Sequence, residues 1–241
     1  MKWEPDDFKL EKSSVWSFPE RGNWATHDAN YRGNCSPYVV RNLLLRYSKE
    51  GDWILDQFVG GGTSLVEAKL LGRNAIGTDV NQKALDRCKE KIAFAYGDVK
   101  VELRKADARN LDFVKNGSID FICTHPPYAD IIRYTDGIDG DISLLDYNDF
   151  LDAMAQVAEE AFRVLKSGKY CAFVMGDIRQ KGFVRPLGFD TMKVFEKADF
   201  KLKEIIIKQQ YNCRMTEKWE KISIEKNFFL LSHEYVFILR K

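Results

Sequence analysis

The stretch from Trp53 to Met175 alternates short apolar runs with amphipathic ones, and nothing else in the chain narrows its fold as much. Trp53 to Phe58 reads as a strand, Gly60-Gly61-Gly62 as a turn and Thr63 to Leu71 as a helix. Asn74 to Asp79 is a second strand, followed by a helix from Asn81 to Tyr96, and Val99 to Leu103 is a third strand. Ile119 to Cys123 is a fourth apolar run, Tyr147 to Leu165 a long amphipathic helix and Tyr170 to Met175 a fifth strand. A helix over Pro186 to Lys197 and strands over Phe200 to Lys208 and Glu234 to Leu239 close the chain. Strands that alternate with helices across short loops predict a parallel sheet covered on both faces, an α/β doubly wound fold in one domain.

Upstream, residues 1–35 carry Trp3, Trp16, Phe18, Trp24 and Tyr31 without periodicity, broken by Pro19, Gly22 and Gly33. This segment is expected to be an irregular arm packed on the core, leaving residues 36–241 as the single domain with no separate large target-recognition domain. Ser36-Pro37 opens the first helix, with serine as its cap and proline at the first helical position.

Doubly wound sheets bind ligands at the carboxyl ends of their strands, near the switch in strand order. Asp56 to Ser64, Asp79, Asp107 and His125 to Tyr128 all follow strands directly, so one sheet edge should gather them. Three glycines let a ligand touch the main chain, and the helix beginning at Thr63 offers it free N–H groups. Leu65 stands where the dinucleotide fingerprint needs its third glycine, and no lysine follows as a phosphate loop requires. Asp79 suits both hydroxyls of a ribose, or caps the next helix. Asp107 suits an adenine amino group, or is a solvated loop acid. Thr124-His125-Pro126-Pro127-Tyr128 ends the fourth strand in a proline-stiffened loop, either a rigid turn or a device that holds His125 and Tyr128 still.

Together these pieces resemble the S-adenosylmethionine-dependent DNA amino-methyltransferases. DQFVGGGTS is similar to their glycine motif D-P-F-x-G-S-G-T, GTDVN to their ribose motif and CTHPPY to their catalytic [D/N/S]-P-P-[Y/F/W] loop. RGNWATHDANYRGNCSPYVVRNLLLRYS resembles the motif that leads into the glycine motif, and HEYVFILRK the final hairpin. The resemblance implies a Rossmann-like class I methyltransferase with a C-terminal antiparallel hairpin and S-adenosylmethionine as cofactor. It implies a cofactor pocket from Ser36, Asp56, Phe58, Gly60, Gly61, Gly62 and Thr63, completed by Asp79, Val80, Asp107 and Ala108. His125, Pro126, Pro127 and Tyr128 become the catalytic residues. Two letters depart from the pattern. Gln57 replaces proline, which changes loop stiffness. His125 replaces Asp, Asn or Ser, and imidazole accepts a hydrogen bond only while neutral.

The implied reaction is direct transfer to an exocyclic base nitrogen, N6 of adenine or N4 of cytosine. The Pro126 carbonyl and His125 would accept from the amine, and Tyr128 would stack on a base extruded from the duplex. Carbon-5 cytosine chemistry needs a nucleophilic cysteine after a proline, and no Pro-Cys occurs; Cys123 reads as core. Alternatives are an RNA or protein-amide methyltransferase and a catalytically silent nucleic-acid-binding relative.

The charge balance, 37 basic against 36 acidic residues, gives no global pull on nucleic acid, so a local patch must hold it. Candidates are Arg133, Arg179, Lys181, Arg185 and Arg214, with Lys208, Lys218 and Lys221 beside Tyr211 and Trp219. Between Arg133 and Arg163 lie eight acids and no base, among them Asp136, Asp139 and Asp141. They read as a solvated loop and helix face, with a divalent-ion site as the alternative. His27 and His233 belong to no ligand set, and no metal is inferred. Five scattered cysteines without a C-x-x-C pair fit a reducing cytoplasm. DNA is the expected partner, with a cognate restriction nuclease a further one, and no apolar run is long enough to span a membrane.

Overall fold

The computed structural model describes residues 2–31, 33–129, 134–211 and 216–241. In chain order its elements are β1 (Val15–Trp16), α1 (Pro37–Tyr47), β2 (Trp53–Asp56), α2 (Thr63–Leu70), β3 (Asn74–Asp79), α3 (Gln82–Lys91) and β4 (Val101–Lys105). Then follow β5 (Ile119–Thr124), a 3₁₀ turn (Ile142–Leu144), α4 (Tyr147–Val164), β6 (Leu165–Met175), β7 (Ile178–Gln180) and β8 (Phe183–Arg185). The chain ends with α5 (Leu187–Lys197), β9 (Lys201–Gln209), α6 (Thr216–Glu225) and β10 (His233–Arg240).

Eight strands form one sheet in the order β1-β9-β10-β6-β5-β2-β3-β4. All neighbours are parallel except β10, which runs antiparallel between β6 and β9. The order reverses between β2 and β5, so the crevice of a doubly wound sheet opens beyond Asp56 and Thr124.

The pleat sorts successive side chains onto two cores. In β5, Ile119 and Ile122 face the core built with α4 and α5, while Phe121 and Cys123 face the core built with α1, α2 and α3. Cys171, Phe173 and Met175 of β6 alternate with Ala172 and Val174 in the same way, as do Phe237 and Leu239 of β10 with Val236 and Ile238. Near-continuous apolar runs are what strands buried on both faces require.

Four local differences from the sequence reading have physical causes. The helix after β3 stops at Lys91 instead of Tyr96, because Lys69 Nζ captures the carbonyls of Ile92 and Phe94 while Phe94 and Tyr96 turn their rings to Trp3. Ser36 sits at the cap position of α1, yet its hydroxyl donates to the Arg21 carbonyl and caps nothing. The loop expected after the fifth strand is the hairpin β7–β8, turned by Lys181 and Gly182 at φ 51° and 86°. Val15–Trp16 of the arm extends the sheet beside β9, with Trp16 buried.

Besides this strand pairing, a buried carboxylate ties the arm to the core. Glu67 of α2 accepts hydrogen bonds from Trp24 Nε1 (2.7 Å), His27 Nε2 (2.8 Å) and Arg41 Nη1 (3.1 Å). Arg41 in turn reaches Glu4. A fully buried carboxylate needs several donors of this kind to stay in place.

Candidate active site

The glycine turn bends where no other residue fits. Gly62 caps α2 at φ 82°, and a Cβ there would lie 2.5 Å from Cys88 Sγ. Gly60 is also left-handed, at φ 45°, and its face is covered by Tyr31, whose ring a Cβ would meet at 2.9 Å. Gly60, Gly61 and the Tyr31 ring that covers them line a cleft at the strand ends.

Asp79 closes the far side of this turn. Its Oδ2 accepts from Gly60 N (3.0 Å) and its Oδ1 from Asn81 N (2.9 Å). Each carboxylate oxygen has a second lone pair left for a ligand. Burial raises the Asp79 pKa, and the backbone donors hold part of that rise back. The cap of α3 is Asn81, which accepts from Lys83 N, so Asp79 is not spent on capping. Asp56, fully buried at the end of β2, accepts from Thr124 Oγ1 (2.8 Å), Phe58 N (3.1 Å) and Ser64 Oγ. Burial pushes its pKa up to about 6 against those hydrogen bonds.

Asp56, Phe58, Gly60, Gly61, Thr63, Asp79, Val80 and Ala108 line the cleft, and so do His125 and Pro127. Glycine turn and proline loop therefore meet in one cavity, one from each side of the β2–β5 switch. Ser36, Gly62, Asp107, Pro126 and Tyr128 lie outside the lining. Asp107 is gripped by Arg109 through Nε (3.0 Å) and Nη2 (2.6 Å), which holds its carboxyl below the ordinary range against the effect of burial. The Tyr128 hydroxyl donates to Glu234 Oε1 (2.8 Å) and accepts from Gly176 N (2.9 Å).

Three readings of the sequence are corrected. Asp141 does not face solvent: it lines the cleft and accepts from Thr135 Oγ1 (2.6 Å), Ser143 N (3.0 Å) and Ser143 Oγ (2.6 Å). Lys208 is no phosphate contact, because Glu234 Oε2 pairs it at 2.9 Å in a largely buried bridge. Gln57 does more than alter loop stiffness. Its side chain is buried in the cleft wall, with Nε2 at 3.5 Å from the carbonyls of Ala108 and Val157 and Oε1 without a partner. Of the basic candidates, Arg179 binds the carbonyls of Gly182 and Phe229 and Arg185 stacks on Tyr147 at 3.8 Å, while Lys181 stands exposed at the hairpin turn. Arg133, Arg214 and Cys213 lie outside the described residues. Among the described residues no group of His, Cys, Asp and Glu is arranged to hold a metal ion, and no helix is long and apolar enough to cross a membrane.

Sequence reasoning missed Tyr31, Asn34, Tyr134 and Thr135, which line the cleft from loops without strand or helix pattern. It also missed Glu234, the second residue of a strand read only as a closing hairpin. Glu234 lies beneath the proline loop, with Oε1 3.8 Å from His125 Nε2. Burial opposes its charge, but His125, Lys208 and the Tyr128 hydroxyl outweigh that and hold its pKa down at about 2. Burial lowers the His125 pKa, more than Glu234 raises it. Neither ring nitrogen of His125 is hydrogen-bonded.

A parallel sheet with one antiparallel strand and a ligand cleft at the switch point defines the Rossmann-like methyltransferase class. A solved S-adenosylmethionine-dependent methyltransferase from Methanosarcina mazei shares this fold, with a TM-score of 0.55 at 17% identity over 83% of this chain and 96% of its own. The profile of the DNA methylase family of N6 and N4 amino-methyltransferases matches residues 2–90 and 119–241, and the chain belongs to that family. Among curated relatives, a tRNA (guanine(10)-N2)-dimethyltransferase of Methanothermobacter thermautotrophicus is 34% identical over 124 residues, 51% of this chain and 35% of that protein. The Type II methyltransferase M.MjaVI of Methanocaldococcus jannaschii is 31% identical over 120 residues, 49% of this chain and 59% of its own. The matched segments thus span between a third and three fifths of these two relatives.

The family's cofactor is S-adenosylmethionine, and the residues present fit it. The Asp79 carboxylate and the partnerless Gln57 Oε1 are acceptors of the kind a nucleoside requires, beside a glycine turn over which Tyr31 packs.

Proposed function

We propose that this protein is a DNA amino-methyltransferase that methylates N6 of adenine or N4 of cytosine. The observation that carries this reading is the shared cavity of Gly60, Gly61 and Asp79 with His125 and Pro127. Asp79 would hold the ribose, Gly60 and Gly61 would bring main chain against the cofactor, and Phe58, Val80 and Ala108 would flank the adenine. S-adenosylmethionine supplies an electrophilic methyl on a sulfonium, so that an N–C bond forms as the C–S bond breaks and its electron pair stays on sulfur.

The chain's own part is positioning. An exocyclic base nitrogen has its lone pair delocalised into the ring, and acceptors on its hydrogens return that pair to the nitrogen. The Pro126 carbonyl and neutral His125 are the acceptors on offer, in a loop that two prolines stiffen. Tyr128, its hydroxyl anchored to Glu234 and Gly176, would keep its ring fixed for a flipped base. Lys181, Arg185 and Arg179, together with Arg133 and Arg214 from outside the described residues, are proposed to meet nucleic-acid phosphates.

A second reading is methylation of an RNA amino group, favoured by the similarity to the tRNA dimethyltransferase. Purified protein would be incubated with labelled S-adenosylmethionine and duplex DNA, single-stranded DNA or tRNA, and the digested nucleosides identified by mass spectrometry. Label in N6-methyladenine or N4-methylcytosine of DNA supports the first reading. Label confined to tRNA replaces it by the second, and label in none overturns both.

A further inference from the structure

His125 is one of the two residues at which this chain leaves its family's pattern, and beneath it the fold has placed a carboxylate from a strand more than a hundred residues later. Glu234 is the second residue of β10, the antiparallel strand, and its Oε1 faces His125 Nε2 at 3.8 Å while accepting from Tyr128 Oη at 2.8 Å, with Lys208 Nζ on Oε2 at 2.9 Å. His125, Glu234 and Lys208 keep only 14%, 10% and 16% of their side-chain surface exposed. A shift of about 1 Å turns the His125–Glu234 approach into a hydrogen bond. Both imidazole nitrogens are otherwise buried and unpartnered, which a folded chain rarely tolerates unless the group has work to do.

We propose that Glu234 is the positioning residue of the catalytic loop: its carboxylate keeps the His125 proton on Nε2, so that Nδ1 offers a lone pair to the target amine and accepts its proton as the methyl group arrives. The proton-accepting half of this inference rests on the methyltransferase reading; the His125–Glu234 pairing does not. In the step, one amine N–H bond breaks and its electron pair stays on nitrogen, cancelling the positive charge that the new N–C bond creates. The proton bonds to the Nδ1 lone pair, and the imidazolium so formed faces the Glu234 carboxylate until solvent takes the proton. An Asp, Asn or Ser at this position accepts a hydrogen bond but has no second ring nitrogen through which a partner can set the tautomer. The groups that face His125 are Glu234 of β10, Lys208 of β9, Arg21 of the arm and Tyr128 of its own loop, with the Cys35 thiol beside them. Of these only Glu234 is an anion, so the carboxylate is what makes an imidazolium tolerable in the cavity.

The test is a histidine NMR titration of the full chain with ring-labelled histidine, using His125→Asn to assign the His125 signals apart from His27 and His233. Wild type should show the Nε2–H tautomer. Glu234→Gln should lower the His125 pKa by about one unit or more, and Lys208→Met, which removes the opposing cation, should raise it. Unmoved values in both variants overturn the pairing, and two variants guard against one that misfolds. The second readout is the pH dependence of methyl transfer. The acid limb of the wild-type rate should follow the His125 titration, move with it in Glu234→Gln and Lys208→Met, and vanish in His125→Asn. A uniform loss of rate with the limb in place overturns the proton-accepting role. Failure of wild type to methylate any nucleic acid counts against the methyltransferase reading, and the titration then decides the pairing alone.

Discussion

Asp79→Asn separates a cofactor contact from a merely structural carboxylate. The substitution keeps the shape of the side chain and one acceptor oxygen, so either Gly60 N or Asn81 N, now bonded at 3.0 and 2.9 Å, retains its partner. Each carboxylate oxygen has one lone pair left after those bonds, which is the complement of two ribose hydroxyls. A hydrogen bond to a charged group contributes about 1.5–3 kcal/mol against about 1 for a neutral one. Replacing two such bonds by one neutral bond and one donor–donor mismatch should cost about 3 kcal/mol of binding, a loss of roughly 100-fold in affinity. Calorimetric titration with S-adenosylmethionine reads this directly, and a thermal melt of both proteins shows whether the turn survives. A variant that binds within threefold of wild type, at an unchanged melting temperature, would refute the ribose role of Asp79.

Other perturbations probe the frame around the cleft. Asp56 has a folded pKa of about 6, above the ordinary aspartate value, so the folded state binds the extra proton and stability falls as pH rises from about 4 to about 6. Asp56→Asn can still accept from Phe58 N and Thr124 while donating to Ser64, and should flatten that slope in melts recorded from pH 4 to pH 8; an undiminished slope assigns it to other groups. Gly62→Ala places a methyl 2.5 Å from Cys88 Sγ at φ 82° and should cost about 2–4 kcal/mol by chemical denaturation, with partial recovery in the Gly62→Ala/Cys88→Ala double variant. Glu67→Gln leaves Trp24, His27 and Arg41 competing for a neutral partner, and hydrogen exchange should rise across residues 24–31 before it rises in the sheet.

The succession of strands and helices and the two ends of the site were legible because buried parallel strands write themselves as apolar runs, and because glycine and proline mark turns by their own stereochemistry. Tyr31, Thr135 and Asp141 were not, since a loop residue enters a cavity through tertiary folding and leaves no periodic trace. Asp141 is the clearest case: among seven other acids it looked solvated, and only the closure of residues 134–142 over the strand ends turns it inward. Glu234 was hidden differently. It is the second residue of a strand whose alternation points it to the same side as Val236 and Ile238, and only the pairing of β10 with β6 brings that position under a loop more than a hundred residues earlier.

The proposed function divides the labour of the site: the glycine turn would hold the cofactor and the proline loop the acceptor amine. Tyr128→Ala tests it most directly, by measuring transfer from labelled S-adenosylmethionine to nucleic acid beside cofactor affinity in the same preparation. Transfer should be abolished while affinity stays within about threefold of wild type. Equal loss of both, or transfer that survives, would contradict it.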